Sequence, residues 1–577
     1  MQWKIKAQEW LAQLTDEDPM KLELTELLQN EQQAEDCFYK DLEFGTGGMR
    51  GVMGPGTNRL NIYTVRKVAL GLAQYVAKQG KSAMKRGVVI SYDSRHLSEE
   101  FALEMAKVIG GQGVTAYLFD ALRPTPLLSF AVRHLQAFAG VMITASHNPP
   151  EYNGLKVYGE DGAQLPPEAA DVIIEYIEKS GSDLIQDTVN TKQLQSQGLL
   201  VYIGDAVNQA YIKELQTIRI NKEVNDVSIV FTALHGTASK PMQQAFESFG
   251  FDNVQYVKEQ EQPDPNFSTV KSPNPEEAGA FELAIQYGEE DGADLLLATD
   301  PDADRLGVAV RDEQQQFKLL TGNQIGTVIL NYLLEEKLKA GELPRNSTVM
   351  KTIVSTDIVS AMTSKYHIET VNVLTGFKFI AEKIHDYEKS KERSFLFGFE
   401  ESYGYLIGDF VRDKDAIQTA VFMAEIAAVY KARGKTIYQV LQEIYEEYGY
   451  YKEQTVSITL EGKNGAGQIT NIMDSFRNTV PTNISNINIQ RIEDYQSSEA
   501  IDCSTGMKTK IDLPTSNVLK YTLENDSWLV IRPSGTEPKC KFYFATKGQS
   551  EQEATENLQM ISDSVLNMVN TEILQKV

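Results

Sequence analysis

The sequence predicts an α/β protein with three related α/β domains, whose sheets are mixed, and a C-terminal α+β domain, arranged around a central cleft. A strand–helix–strand alternation, typical of parallel α/β layers, begins near residue 88 and restarts near residues 227 and 322. After Tyr450 the pattern changes to short strands, with a polar stretch over residues 462–488. At 577 residues the chain also exceeds what one hydrophobic core usually spans.

The alternation predicts elements in a fixed order along the chain. The first two cycles give strand 88–93, helix 98–108, strand 115–120, then strand 227–234, a helix near 240–249 and strand 293–298. The third gives helix 322–337, strands 347–354 and 368–374, and an apolar-periodic helix at 416–430. The predicted domains are residues 1–205, 206–320, 321–445 and 446–577.

Composition predicts a cytoplasmic protein that binds neither nucleic acid nor membrane. The hydrophobic content of 42% suffices for burial, yet no apolar run approaches the roughly 18 residues that cross a bilayer. The first 19 residues lack the apolar centre of a signal peptide. The three cysteines lie far apart, without metal-ligand spacing. A net charge of −25 disfavours nucleic acid and anionic membranes.

A serine is predicted at the end of a buried strand. The apolar run 138–143 is followed by TASHNPPEYNGLK, so Ser146 lies on a proline-stiffened turn at the carboxyl end of the strand, facing a cleft. A hydroxyl needs a base, a metal or a prior modification to act as a nucleophile. His147 and Lys156 could transfer its proton. By itself the segment is equally compatible with a capped turn.

Three aspartates follow the apolar run 293–298. Asp300, Asp302 and Asp304 alternate in the string DPDADR, so an extended loop would point all three carboxylates to one side. Their mutual repulsion is relieved most simply by a hard divalent cation. The Gly and Glu that a calcium EF-hand requires are replaced by Arg305 and Arg311, so Mg²⁺ is the predicted ion. Arg305 would add a phosphate-facing charge.

Two more segments suit a phosphorylated sugar. The string RPSGTEPK offers an arginine, two hydroxyls and a glycine for a phosphate group. GFEESYG places Glu400 and Ser402 on a glycine-flanked loop, where they could bind paired sugar hydroxyls. Taken alone, RPSGTEPK could be an ordinary turn, and GFEESYG is better explained as a structural turn with solvated acids.

In this order the four segments closely resemble the α-D-phosphohexomutase family, over nearly the whole chain. The resemblance implies that TASHNPPEYNGLK carries the phosphoserine, DPDADR the magnesium loop, GFEESYG the sugar loop and RPSGTEPK the phosphate loop. Weaker matches, FGTGGMRG and TGFK, imply that Arg50 contacts the serine phosphate and that Lys378 faces the active site. Arg412-Asp413-Lys414-Asp415 resembles the segment that often follows the sugar loop. The chain departs from the pattern at Tyr403-Gly404, where some members have histidine, and at Lys541, where relatives often have arginine.

The resemblance implies a sugar-phosphate mutase that interconverts glucose 1-phosphate and glucose 6-phosphate. Phosphorylated Ser146 would share one Mg²⁺ with Asp300, Asp302 and Asp304, and a sugar 1,6-bisphosphate would be the intermediate and activator. The substrate phosphate would be bound by Arg532, Ser534, Gly535, Thr536 and Lys541. For proton transfer or charge stabilisation, Lys156 is preferred over His147 and Lys378, and a basic lysine would need a lowered pKa. We expect a monomer or weak dimer.

Alternatives within and outside the family stay open. Mannose and pentose phosphates are possible substrates, although the length and the EYNGLKVY string favour the longer branch of the family, whose members act on glucose and pentose phosphates. A sugar-phosphate phosphatase is a further alternative, because a phosphoserine that reacts with water releases phosphate. A silent sugar-phosphate sensor is disfavoured by the presence of Ser146 and all three aspartates.

Overall fold

The structure is a computed structural model that describes residues 2–45, 48–179, 181, 183–185, 187–460, 465–479, 481–534 and 539–570. Parallel and antiparallel strand pairs occur together in its first three sheets, whereas the strand pairs described in the last sheet are antiparallel. The predicted fold class is therefore confirmed. Among the described helices, none is both long enough and apolar enough to cross a membrane.

The first part of the chain surrounds a mixed sheet. Its helices are α1 (Gln2–Gln13), α2 (Pro19–Leu27), α3 (Glu31–Phe38), α4 (Ile62–Lys78), α5 (Lys81–Arg86), α6 (Ser98–Gly111), α7 (Thr125–His134), α8 (Pro167–Lys179) and α9 (Thr191–Ser196). Its strands are β1 (Phe44–Gly45), β2 (Gly48–Val52), β3 (Val88–Tyr92), β4 (Ala116–Phe119), β5 (Ala139–Ile143), β6 (Tyr152–Tyr158) and β7 (Leu200–Ile203). They pair in the order β1-β2-β6-β5-β3-β4-β7.

The second part repeats the alternation on a smaller scale. Its elements are α10 (Asp205–Leu215), β8 (Ile229–Thr232), α11 (Ser239–Ser248), β9 (Val254–Tyr256), α12 (Lys258–Glu261), α13 (Glu282–Asp291), β10 (Leu295–Thr299), β11 (Leu306–Arg311) and β12 (Phe317–Leu319). The strand order is β12-β11-β10-β8-β9, so β10 pairs with β8 near the middle of the sheet and ends at the aspartate loop.

The third part contains a smaller sheet and long helices. Its elements are α14 (Gly322–Ala340), β13 (Ser347–Thr352), α15 (Ile358–Lys365), β14 (Glu369–Val373), α16 (Phe377–Ser390), β15 (Ser394–Glu400), β16 (Gly404–Leu406), α17 (Ala416–Ala432) and α18 (Ile437–Tyr448). The strand order is β14-β13-β15-β16. Predicted and observed elements up to this point differ by a few residues at their ends.

The C-terminal part is an antiparallel sheet with two helices. Its elements are β17 (Tyr450–Thr459), α19 (Gly465–Asn478), β18 (Asn483–Ile484), β19 (Ile487–Asp494), β20 (Glu499–Asp502), β21 (Lys508–Lys510), β22 (Leu519–Leu523), β23 (Trp528–Pro533), β24 (Lys539–Gly548) and α20 (Glu551–Asn567). The main strand order is β17-β24-β23-β22-β19-β20-β21. The expectation of short strands is wrong for β17 and β24, which each have ten residues. The polar stretch contains α19 because buried Ile472, Met473 and Phe476 recur at helical spacing.

Helix α17 is the centre of the packing. Every residue from Ala416 to Tyr430 is buried, because the helix packs on α11 and β10 of the second part and on α14 and α18 of its own. Asp415 caps it by accepting hydrogen bonds from the backbone N–H groups of Ile417 at 2.9 Å and Gln418 at 3.0 Å. The Tyr211 hydroxyl donates to the other carboxylate oxygen at 2.7 Å.

We expect Asp415→Ala to destabilise the protein by about 3 kcal/mol, because it removes a helix cap and leaves a buried tyrosine hydroxyl without its acceptor. Thr436→Ala is the matched control, since Thr436 caps the neighbouring α18 with a backbone contact at 3.2 Å. Thr436→Ala should lower the free energy of unfolding by about 1 kcal/mol. Denaturant unfolding of both variants measures the difference. Equal losses would contradict a contribution from the Tyr211 contact.

Candidate active site

The serine turn begins where β5 ends. Thr144 Oγ1 accepts a hydrogen bond from the Ser146 N–H at 2.8 Å, and Ser146 adopts the left-handed conformation with φ +52°. This geometry directs Ser146 Oγ to Asp300 Oδ2, to which it donates at 2.6 Å. The expectation that Ser146 faces an open cleft is wrong, since the residue is only 3% exposed. The Asp300 carboxylate and the His147 ring contact its hydroxyl.

The aspartate loop brings its three carboxylates together at the end of β10. One ligand oxygen each from Asp300, Asp302 and Asp304 lies within 4.8 Å of the others. The convergence is as predicted, but the extended loop is wrong: the segment is a tight turn, with Ala303 at φ +54°. The Asp304 and Arg305 N–H groups donate to Asp300 Oδ1 at 3.1 and 3.0 Å, which closes the turn.

Cations from other parts of the chain offset the charge of this group. Lys156 on β6 donates to Asp302 Oδ2 and Asp304 Oδ2, each at 2.8 Å, and Lys414 Nζ lies 3.3 Å from Asp304 Oδ2. Burial raises the pKa of Asp300, as do the other two carboxylates. Burial also favours a higher pKa for Asp302 and Asp304, but nearby cations leave both pKa values lowered: Lys156 acts on both, and Lys414 and Arg305 act on Asp304 as well. Asp302 and Asp304 are therefore kept charged near the serine.

The carboxylates fit a hard cation. Asp302 Oδ1 and Asp304 Oδ1 are buried and have no hydrogen-bond partner among the described residues. Their other oxygens are held by Lys156 and, for Asp302, by the Thr125 hydroxyl at 2.8 Å. Buried unpaired carboxylate oxygens are costly unless something binds them. The three aspartates could thus hold a metal ion through oxygen ligands.

Lys414 was missed as a site residue, although its RDKD segment was recognised. Its ammonium lies 3.3 Å from Asp304 Oδ2 and 3.7 Å from Glu400 Oε1, so it connects the aspartate loop to the predicted sugar loop. The Lys414 stem occupies the space beside Gly404, where an added Cβ would clash with Lys414 Cδ. Glycine at position 404 is therefore required by this lysine.

The sugar loop follows β15 directly. Glu400, the last residue of β15, is 5% exposed, and Ser402, two residues further on, is half-buried. Glu401 turns away and accepts hydrogen bonds from Thr352 Oγ1 at 2.7 Å and Ser355 Oγ at 3.3 Å. Of the two neighbouring glutamates, Glu400 is the one placed beside Lys414 and the aspartates.

The predicted phosphate loop lies between β23 and β24. Arg532 and Lys541 are directly opposite each other in this strand pair, and the Ser534 N–H donates to Lys539 O at 2.8 Å. Gly535 and Thr536 lie outside the described residues. Burial, Arg532 and Arg305 lower the pKa of Lys541. Burial and Arg532 likewise lower the pKa of Lys378, at the start of α16, to about 8.

These shifts indicate cations crowded together. A lowered lysine pKa means that burial and like charge disfavour the ammonium, and a bound anion would relieve both. Arg305 differs, because burial acts to lower its pKa but Glu276 and Asp304 raise it by more. The phosphate-facing charge expected of Arg305 is therefore partly neutralised by Glu276.

Arg50 lies on β2 and donates to Asn148 Oδ1 at 2.7 Å, next to the serine turn.

The candidate proton-transfer groups differ in their surroundings. Burial favours a lower pKa for Lys156, but Asp302 and Asp304 raise it by more, opposite to what a basic lysine requires. His147 Nδ1 lies 3.3 Å from Ser146 Oγ, and burial together with Arg305 lowers its pKa. Lys378 has the lowered pKa that a base requires, but it lies with the phosphate-loop cations.

The chain matches four domain models of one family, described as phosphoglucomutase/phosphomannomutase. The α/β/α domains I, II and III match residues 41–183, 209–314 and 321–448, and the C-terminal domain matches residues 486–563. The chain belongs to this family. Its predicted domain boundaries stay predictions, but each observed sheet contributes strands to one of the matched domains.

Relatives and solved structures agree with the family. The phosphoglucomutase of Staphylococcus saprophyticus is 39% identical over 92% of this chain and 95% of its own length. The phosphoglucomutase of Staphylococcus aureus is 41% identical over 88% of this chain and 90% of its own length. Among solved structures, a Burkholderia thailandensis phosphoglucomutase/phosphomannomutase family protein has TM-score 0.63, 17% identity, and coverage of 92% and 97%. The open form of Paramecium parafusin has TM-score 0.66, 17% identity, and coverage of 92% and 95%. Both structures share the fold.

We expect Lys378 to titrate near pH 8 and to recover a higher pKa when Arg532 is replaced by glutamine, because a neighbouring positive charge is removed. NMR titration of ¹³C-methylated lysines would measure both midpoints. Arg311→Gln is the control, since Arg311 lies over the Phe317 ring in the second part of the chain. A wild-type midpoint at the ordinary lysine value, about 10.4, would contradict the prediction.

Proposed function

We propose that the protein interconverts α-D-glucose 1-phosphate and glucose 6-phosphate through phosphorylated Ser146 and a bisphosphorylated sugar. The observation that carries the proposal is the contact of Ser146 Oγ with Asp300, inside a buried carboxylate group that could hold a metal. The names of the staphylococcal relatives, 39–41% identical over most of the chain, support glucose phosphate as the substrate.

The proposed metal is one Mg²⁺, held by the Ser146 phosphate with Asp300, Asp302 and Asp304. The buried oxygens of Asp302 and Asp304 that have no hydrogen-bond partner among the described residues support this assignment, because hard carboxylate oxygens are the ligands that Mg²⁺ prefers. When bound, Mg²⁺ would offset negative charge that develops on the transferring phosphoryl group.

The chain's own residues would bind and orient the sugar phosphate. Arg532, Ser534, Gly535, Thr536 and Lys541 are proposed to hold the phosphate that is not reacting, with Lys378 and Arg305 contributing positive charge. Glu400 and Ser402 are proposed to bind ring hydroxyls, with Lys414 fixing Glu400 from the side of the aspartates. Arg50 is proposed to contact the serine phosphate.

In the first half-reaction the free sugar hydroxyl would bond to phosphorus as the P–Oγ bond of phosphoserine breaks. The hydroxyl proton would end on Ser146 Oγ, and the 3.3 Å distance from His147 Nδ1 to that oxygen supports His147 as the group that relays it. Lys156, held charged by two aspartates, stabilises negative charge instead. After the bisphosphate turns over, Ser146 Oγ takes the other phosphoryl group and its proton returns to the sugar. Added glucose 1,6-bisphosphate would therefore act as an activator.

The proposed setting is the cytoplasm, with the protein a monomer or weak dimer. Cys37, Cys503 and Cys540 are free thiols, which suits a reducing compartment. A separate group of cations for the unreactive phosphate favours a mutase over a phosphatase, because a hydrolase needs only one phosphate position.

We expect glucose 1-phosphate to have the highest specificity constant among glucose, mannose and ribose 1-phosphates, and Ser146→Ala to abolish the reaction. The variant lacks the phosphoryl carrier, and intact-mass measurement should show phosphate on the wild type only. The control is Ser91→Ala, in which a buried serine on β3 loses its hydrogen bond to Arg123 O.

Each outcome separates the alternatives. A higher specificity constant for mannose or ribose 1-phosphate would change the proposed substrate but not the proposed active-site residues. Inorganic phosphate released faster than isomer would identify a phosphatase. Near-normal turnover by Ser146→Ala, with Ser91→Ala also active, would rule out Ser146 as the carrier.

We expect Asp302→Asn to weaken Mg²⁺ binding on the order of 10-fold or more, because a charged oxygen ligand becomes neutral. Calorimetric titration of metal-free protein measures the affinity independently of activity, and chelation should inactivate the wild type reversibly. Glu313→Gln, which neutralises an exposed acid after β11, is the control. Full activity after exhaustive chelation, with negligible metal content, would overturn the metal assignment.

A further inference from the structure

The Arg95 side chain lies behind the serine turn and is fully buried. Its Nη2 donates to Ser146 O at 2.6 Å and to Asn148 O, and its Nη1 donates to Pro149 O at 2.8 Å and Tyr152 O at 3.0 Å. Four backbone carbonyls of one turn therefore converge on one guanidinium. These buried carbonyls need donors, and the guanidinium fork supplies them.

Arg95 is itself held from two sides. Asp93 Oδ2 lies 3.4 Å from Arg95 Nε, while Asp93 Oδ1 accepts hydrogen bonds from the Arg95 N–H and from Ser98 Oγ. The Phe267 ring, from the second part of the chain, lies 5.0 Å from the guanidinium carbon. The guanidinium thus joins the sheet that bears Ser146 to the part of the chain that bears the aspartates.

The serine turn needs such support. Ser146 has φ +52°, a conformation that side chains other than glycine keep only where the surroundings impose it. Rotation of this turn would move Oγ away from Asp300, with which it forms a 2.6 Å hydrogen bond. Lysine could not replace Arg95, because its single ammonium lacks the two separate donor nitrogens with which the guanidinium binds these four carbonyls.

We propose that Arg95 is a positioning residue for phosphoryl transfer, which fixes the serine turn so that Ser146 Oγ faces the aspartates in both half-reactions. This inference rests on the proposed function. The same Oγ must release one phosphoryl group and then accept another from the bisphosphate. A displaced turn slows that return step and gives the bisphosphate more time to dissociate.

Arg95→Lys tests the proposal, with Arg66→Lys as the matched control. Arg66 is a buried arginine on α4, in the same part of the chain, and it binds Glu104 and the Ile185 carbonyl. For Arg95→Lys we expect kcat to fall on the order of 10- to 100-fold, the loss typical of a misplaced reacting group. The KM for glucose 1-phosphate should change little, because the sugar and phosphate loops are intact. The glucose 1,6-bisphosphate released per turnover should rise.

A merely structural role gives a different result. Loss of folding stability lowers the melting temperature and the active fraction of both variants, and leaves bisphosphate release per turnover at the wild-type value. That outcome for Arg95→Lys would overturn the proposal. If this variant does not fold, Asp93→Asn is measured in the same way. This variant keeps the guanidinium but weakens the ion pair that holds it. We therefore expect a smaller fall in kcat, an unchanged KM and a smaller rise in bisphosphate release. Unchanged bisphosphate release would overturn the proposal.

Failure of the proposed function is distinguished in the wild type. If wild-type protein carries no phosphate on Ser146 and forms no glucose 6-phosphate, both proposals are wrong. If the wild type is active through phosphoserine and the variants match it in kcat and bisphosphate release, only the inference about Arg95 is wrong.

Discussion

Three carboxylates buried within 4.8 Å of one another form the constraint on which the rest of this structure depends. Like charges in a low-dielectric interior repel strongly, and the N–H groups and Arg305 of the turn itself are joined by cations from other parts of the chain in offsetting that repulsion. Lys156 and Lys414 are supplied by the first and third parts of the chain, which must pack against the second to deliver them. Packing of these parts and assembly of the charged site are therefore the same event.

The segment Arg412–Asp415 shows how that packing is fixed. The Arg412 N–H donates to Ser129 Oγ at 2.8 Å, and the Tyr158 hydroxyl donates to Asp413 at 2.8 Å, so α7 and β6 of the first part both bind this segment of the third part. Asp415 then caps α17, the helix buried along nearly all of its length. Lys414 lies between these anchors and has little freedom to move away from Asp304. A single apolar cluster continues through the first three parts and makes the arrangement stiff.

The C-terminal part is attached differently. It has an apolar core of its own and meets the third part through a separate cluster that includes Val354, Leu374 and Trp528. This smaller contact places Arg532 and Lys541 near Lys378 and Arg305, where the lysine pKa values fall because the positive charges are crowded. A protein with net charge −25 thus concentrates cations where an anionic substrate is proposed to bind.

The sequence by itself determined the fold class, the order of its elements and the identity of most candidate site residues, because hydrophobic periodicity and short motifs are local properties. The predicted ends of two buried strands located Ser146 and the three aspartates in the sequence. Only the tertiary structure decided which residues meet: Lys414 beside Asp304, Arg95 behind Ser146, and Lys156 held charged by the aspartates. Each of these contacts joins residues at least 51 positions apart, and Lys414 and Lys156 lie more than 100 positions from their aspartate partners. Sequence periodicity carries no signal over such separations, and the sign of a lysine's pKa shift depends on neighbours that only folding supplies.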